Sequence, residues 1–157
     1  MLACKLSRGR QPARRRGAAI VEFTVVIPVL LTFILGIVEI GRLVMVAQVA
    51  TNASREGARY AVQGAANTAT IDSYLRTYLA AAGLSNTAAG GGSAVSVTLE
   101  YQSGGSWVAT ADPSTLASGT PVRATVSVNF DSQSWLPTRF FVGNNTHVQG
   151  VAVMRKE

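Results

Sequence analysis

Few side chains in this sequence could carry out a reaction. Cysteine and histidine occur once each, as Cys4 and His147, so the sequence offers no disulfide and no His/Cys cluster for a zinc ion. The carboxylates Glu100, Asp112 and Asp131 stand in different segments and form no pair for general acid–base catalysis. No serine stands in a nucleophile elbow, and no phosphate-binding loop occurs. The sequence therefore predicts a protein that is not an enzyme, with no cofactor, no metal and no small-molecule substrate.

One ionisable residue, Glu22, stands in an unusual position. It lies in the apolar run 18–38, AAIVEFTVVIPVLLTFILGIV, where 16 of 21 residues are Ala, Val, Ile, Leu or Phe. A helix of this length crosses about 30 Å of hydrocarbon. A carboxylate at the centre of a span costs about 2.5–3.5 kcal/mol, and less near the end, where Glu22 lies. Its position predicts a functional role, the alternative being that its side chain only reaches the membrane interface.

The net positive charge is confined to the beginning of the chain. Residues 1–17 contain six Lys or Arg and no acid, whereas the other 140 residues hold eight basic and eight acidic side chains. A nucleic-acid-binding domain carries its basic excess on the folded part, so the net charge of +6 does not indicate DNA or RNA as a partner. Basic residues that precede a span stay in the cytoplasm. We expect a cytoplasmic leader at 1–17, a single transmembrane helix at 18–40 and the remainder outside.

The residues around Glu22 resemble a type IV prepilin processing site. The string RRRG ends at Gly17 and is followed by AAIVEF, which begins at Ala18. Such sites have a short basic leader that ends in Gly, cleavage after that Gly, and Glu at the fifth position of the mature chain. Counted from Ala18, Glu22 is fifth and Phe23 sixth, and an aromatic residue after the Glu is a feature of the Flp-type branch.

Two further motifs follow in order, and together the three blocks over residues 17–63 resemble the TadE-like family. After the VEFTVVIP block come Gly36 and the string EIGR, and then REGARYA at 55–61. TadE-like proteins carry a run of the form GA-x-x-VEFALV-x-P, then G-x-x-E-x-GR, and then REGARYA. The residues of the second and third blocks are Glu39, Gly41, Arg42, Arg55, Glu56, Gly57, Arg59 and Tyr60.

The resemblance implies a minor pseudopilin of the tight-adherence (Flp) pilus, which acts in pilus assembly, surface adherence and biofilm formation. It implies a bacterial inner-membrane location with the C-terminal part in the periplasm. The implied partners are a prepilin peptidase, other pilins and pseudopilins, and the pilus assembly platform. It also implies that Glu22 pairs with the α-amino group of Ala18 of a neighbouring subunit. The chain is longer than major Flp pilins, which favours a minor role over a fibre subunit.

The remaining patterns predict an α+β fold with a pilin-like head. The first helix should extend over 41–64, with a stripe of Leu43, Val46, Ala50, Ala53, Gly57 and Ala61. In the head, 65–157, a short amphipathic helix should begin at an N-cap Thr70 and stop near Gly83, with Tyr74 and Tyr78 in its apolar stripe. Alternation predicts strands at 95–101, near 107–110, at 122–130 and at 147–155, joined in an antiparallel sheet.

Three other interpretations of the N-terminus remain open. A cleaved secretory signal has an apolar core of about 7–15 residues and a small-residue cleavage site, so the longer run here fits it less well. A single-pass anchor could carry a periplasmic binding domain, or a membrane-tethered enzyme. An anchor retains residues 1–17, whereas a pseudopilin loses them, so the mature N-terminus distinguishes the two.

Overall fold

One long helix, α1, occupies Arg16–Val62. A computed structural model provides the structure and describes residues 16–63, 67–87, 93–110, 112–133 and 146–157. The chain divides into two compact units, Met1–Ile37 and Val38–Glu157, which we call the first and the second unit. The elements after α1 are α2 (Thr68–Ala81), β1 (Val95–Ser103), β2 (Ser106–Ala109), β3 (Pro121–Asn129) and β4 (His147–Arg155), with two short 3₁₀ helices at Pro113–Thr115 and Phe130–Ser132.

In the first unit, α1 exposes apolar side chains on every side. The helix is long and apolar enough to cross a membrane. Pro28 lies inside it, yet the helix is continuous. The hydroxyl groups of Thr24 and Thr32 donate hydrogen bonds of 2.8 Å to the carbonyl oxygens of Ile20 and Pro28. The polar groups of the two threonines are thus satisfied within the helix, as an apolar surrounding requires.

In the second unit, α1 buries the stripe that its periodicity predicted. Val46, Ala50, Ala53 and Ala61 have no exposed surface, and Leu43 packs against the same core. The small side chains let α1 lie close to its neighbours. Gln48 and Asn52 are exposed on another face of the helix.

The strands form one antiparallel sheet in the order β2-β1-β3-β4. Along β3 every second residue is buried, because side chains of a strand alternate between faces. The buried set is Val122, Ala124, Val126 and Val128. On the opposite face, Arg123 forms a 2.6 Å ion pair with Glu100 of β1 and lies 4.4 Å from the Trp107 ring centroid. The α+β fold with one antiparallel sheet is confirmed.

Helix α2 differs from its prediction in two respects. Its N-cap is Asn67, whose side chain accepts a 2.9 Å hydrogen bond from the backbone amide of Thr70, so Thr70 lies inside the helix. Only Ile71, Leu75 and Leu79 are buried. Tyr74 and Tyr78 are 39% and 37% exposed, so the predicted stripe was too wide. This helix of 14 residues packs on one side only, so it buries the residues at the centre of its apolar stripe. Residues at the edge of the stripe, such as Tyr74 and Tyr78, stay partly exposed.

The segment predicted as a loop at 131–146 begins with a 3₁₀ helix. The strand predicted to reach Phe130 ends at Asn129, and Phe130 is buried in the 3₁₀ helix Phe130–Ser132. Residues 134–145, which include Trp135, Pro137 and Phe140-Phe141, lie outside the described residues, as does the glycine-rich stretch at 90–92.

Candidate functional site

The residues of the predicted processing site lie in the first turns of α1. Gly17 is exposed, and no atom of another residue lies within 4 Å of the position that a Cβ would occupy there. Glu22 and Phe23 are exposed on the same helix. Because residues four apart in a helix share a face, Ala18 and Glu22 lie one turn apart along α1. The geometry therefore places a carboxylate within one turn of the nitrogen that cleavage would turn into an amine.

The charged residues of the second motif, Glu39 and Arg42, lie in the second unit and contact other parts of it. Glu39 is only 1% exposed. Arg42, one turn later, donates a hydrogen bond from Nε to the backbone carbonyl of Gln133, which follows the second 3₁₀ helix. Gly41, between them, is exposed. The Glu39 and Arg42 side chains are therefore part of the packing of the second unit.

Gln133 is the residue that receives this contact, and sequence analysis did not identify it. Its side-chain Oε1 accepts a 2.7 Å hydrogen bond from the amide of Ser85, and its Nε2 donates one of 2.7 Å to the Ser85 carbonyl. The side chain is 3% exposed. Gln133 thus bonds to α1 through its backbone carbonyl and to the segment after α2 through its buried side-chain amide. No local sequence pattern signals such a contact, because its partners are 91 and 48 residues away.

Replacement of Gln133 by alanine should lower the free energy of unfolding of the second unit by about 2 kcal/mol. The variant removes the two hydrogen bonds between the Gln133 side chain and the backbone of Ser85, and one intramolecular hydrogen bond contributes about 0.5–1.5 kcal/mol. Chemical denaturation of the purified full-length chain, followed by circular dichroism, measures this loss. Ser132→Ala is a neighbouring control expected to cost less, and equal stability of Gln133→Ala and the unaltered chain would contradict the prediction.

The third motif forms the junction of α1 with α2. Arg59 and Glu56 form an ion pair of 2.7 Å, and the hydroxyl group of Tyr74 donates a 3.3 Å hydrogen bond to Glu56. The rings of Tyr60 and Tyr74 stack with centroids 5.2 Å apart and an angle of 11° between their planes. The hydrogen bond from Arg59 is the main reason that the pKa of Glu56 is lowered from its ordinary value. Glu56 and Arg59 therefore have an intramolecular role, while Arg55 is exposed.

Gly57, in the same motif, lies close to both α2 and β3. A Cβ at this position would lie 2.8 Å from Cδ1 of Leu75 in α2 and 3.6 Å from Cβ of Ala124 in β3. Ala58 and Ala61, which follow in the motif, have no exposed surface. The motif thus combines small residues for close packing with Glu56 and Tyr60. Glu56 accepts a hydrogen bond from Tyr74 of α2, and Tyr60 stacks on the Tyr74 ring.

The described part of the chain contains no group of three or more His, Cys, Asp or Glu side chains that could hold a metal ion. The second and third motifs make packing contacts and hydrogen bonds within the second unit. The first motif is different, because Glu22 and Phe23 are exposed on an apolar helix and are available to partners outside the chain.

Comparison with known proteins identifies the N-terminal segment. Residues 17–59 match the family model described as TadE-like protein. This match covers all three motifs except the last two residues of REGARYA, and the resemblance predicted from them is confirmed. A search of curated proteins found no match, and neither did a search of solved structures.

Proposed function

We propose that this chain, which carries a TadE-like segment at residues 17–59 and is thereby associated with a Tad pilus, is a minor pseudopilin of that pilus. A prepilin peptidase removes residues 1–17, and the mature chain acts in pilus assembly and thus in surface adherence and biofilm formation. The observation that carries the proposal is the family match, which begins at Gly17 in a sequence that resembles a prepilin processing site.

The proposed orientation follows from charge and hydropathy. Six basic residues precede the span, which supports a cytoplasmic leader and a periplasmic location of residues 65–157. The protein is then a single-pass inner-membrane protein, and its partners are other pilins and pseudopilins and the pilus assembly platform.

Glu22 has a specific role in this proposal. Cleavage after Gly17 removes the six positive charges and creates an α-amino group on Ala18, with a pKa of about 7.7–8.0 in the absence of perturbation. This cation lies one helical turn from Glu22. In a medium of low dielectric constant, pairing compensates two charges that are each costly alone. We assign Glu22 to pairing with the amine of a neighbouring subunit, so that it sets the register of subunits during assembly.

Replacement of Gly17 by leucine should block processing and accumulate the full-length chain. The residue before the cleaved bond is small in prepilin sites, and among the described residues a Cβ at Gly17 would meet no atom within 4 Å beyond its own turn of helix, so the substitution should leave the fold intact. Mass spectrometry of the protein from membranes should find Ala18 as the first residue of the unaltered chain and residues 1–17 retained in the variant. Ile20→Leu, a substitution beyond the bond, is the control expected to be processed normally.

Two results would contradict the proposal. Retention of residues 1–17 in the unaltered chain would leave a single-pass anchor with a periplasmic binding domain as the better interpretation. Normal cleavage of Gly17→Leu would show that the protease involved does not select for a small residue at this position.

A further inference from the structure

The part of α1 that begins the second unit has its polar and apolar faces reversed relative to a helix in water. Glu39 is buried at 1% exposure, and Arg42 contacts Gln133. The opposite side presents four large apolar residues, with 48–58% of each side chain exposed: Val38, Ile40, Val44 and Met45. A water-exposed helix places its apolar stripe towards the core and its charged residues outwards.

This reversal stops within one turn. Gln48, Asn52 and Arg55 are exposed on α1 after Met45, and Val46 and Ala50 are buried, which is the ordinary pattern of a helix in water. The change therefore occurs between Met45 and Gln48, several residues beyond the end of the apolar run at Val38. Four exposed apolar side chains in one stretch of helix form a patch of the kind that marks a membrane or protein contact.

We propose that lipid acyl chains cover Val38, Ile40, Val44 and Met45, so that the hydrocarbon boundary on the periplasmic side lies at about Met45. The adjoining end of the second unit, at Arg42 and Gln133, then lies at the depth of the outer leaflet. This proposal rests on the membrane anchoring proposed above and specifies where the span ends. It places Glu39 and Arg42 at membrane depth with the second unit, not lipid, around them, and ionisable residues at that depth face protein.

The length of the span agrees with this boundary. From Phe23 to Met45 there are 23 residues, which is within the range of about 17–25 residues for a membrane helix. At 1.5 Å per residue this is about 34 Å, slightly more than the hydrocarbon thickness of about 30 Å, and a modest tilt accommodates the difference. The same placement puts Glu22 at the cytoplasmic edge of the hydrocarbon, where the proposed pairing with the α-amino group of Ala18 would compensate its charge. Both ends of the span are then consistent with the positions of the charged residues.

Spin-label accessibility of the full-length chain in vesicles tests the boundary. Cys4, the only cysteine, is replaced by serine, and single cysteines at Val44, Met45 and Asn52 are labelled with a nitroxide. The protein is reconstituted at high lipid-to-protein ratio in phosphatidylethanolamine and phosphatidylglycerol. The relaxation of each nitroxide is then measured with oxygen, which partitions into hydrocarbon, and separately with a water-soluble nickel chelate. A label at Ile34 is the lipid-exposed control, because that residue is exposed in the middle of the apolar run.

We expect labels at positions 44 and 45 to be relaxed mainly by oxygen, as at position 34, and the label at 52 to be relaxed mainly by nickel. Relaxation of positions 44 and 45 mainly by nickel, with position 34 still favouring oxygen, would overturn the proposed boundary and leave the anchoring intact. Protection of 44 and 45 from both agents would also overturn it, since a protein partner would then cover them. A label at 34 relaxed mainly by nickel would refute the membrane anchoring itself.

Discussion

Replacement of Gly150 by alanine should destabilise the second unit by about 3 kcal/mol, the upper part of the range for overpacking a core. Gly150 is a buried residue in the middle of β4, where the strand passes directly under α1. An added Cβ would overlap the carbonyl group of Ala50 and lie 2.6 Å from the amide nitrogen of Thr51. These are backbone atoms of a helix, so they cannot move aside as a side chain can. Relief requires a shift of α1 away from the sheet, which would open the contacts of Ala50 and Ala53.

Two other glycines provide matched controls for this prediction. Gly57→Ala also introduces a close contact, but with Cδ1 of Leu75 at 2.8 Å, and a flexible side chain can shift by a few tenths of an ångström. Gly119→Ala introduces no contact within 4 Å and is disfavoured by its φ of 82°, since the left-handed conformation costs an L-residue about 1–2 kcal/mol. Chemical denaturation of the three full-length variants should rank Gly150→Ala as the least stable. Equal stability of the Gly150 and Gly119 variants would show that α1 and β4 are not in backbone contact.

Patterns with a short period were read correctly from the sequence. The stripe from Val46 to Ala61 and the alternation along β3 both follow from geometry, since each helix or strand repeats its orientation every 3.6 or two residues. Burial of these side chains therefore depends only on which face meets the core. The same reasoning failed for Tyr74 and Tyr78, because it predicts the direction of a stripe and not its width.

Contacts between distant segments were not predictable in this way. The bonds of Gln133 to Arg42 and Ser85, and the bond of Tyr74 to Glu56, depend on how complete elements pack against each other. Gly150 did carry a signal that was not used, since glycine inside an otherwise regular strand often marks close approach of another backbone. The motifs at 39–42 and 55–61 were recognised by resemblance, but their physical reason, packing within the second unit, needed the structure.

Replacement of Glu22 by alanine should prevent pilus assembly while leaving the membrane level of the protein unchanged. Removal of the carboxylate makes the span more apolar, so insertion should not suffer. Assembly should suffer, because the α-amino group of Ala18 in the neighbouring subunit would lose its compensating charge. If that loss costs about 2 kcal/mol near the end of the span, incorporation of a subunit falls by about 30-fold. Complementation of a deletion strain, scored by pili and surface adherence, measures this effect alongside the amount of protein in membranes.

Two further substitutions separate charge from shape at this position. Glu22→Gln keeps the size of the side chain and removes only its charge, so it should fail like Glu22→Ala. Thr24→Ala changes an exposed residue at nearly the same depth, whose hydroxyl group bonds only to the Ile20 carbonyl, and it should assemble normally. Failure of the alanine and glutamine variants at normal membrane levels would support an electrostatic role. Full assembly by Glu22→Gln would refute the ion pair, and full assembly by Glu22→Ala would show that this carboxylate only reaches the membrane interface.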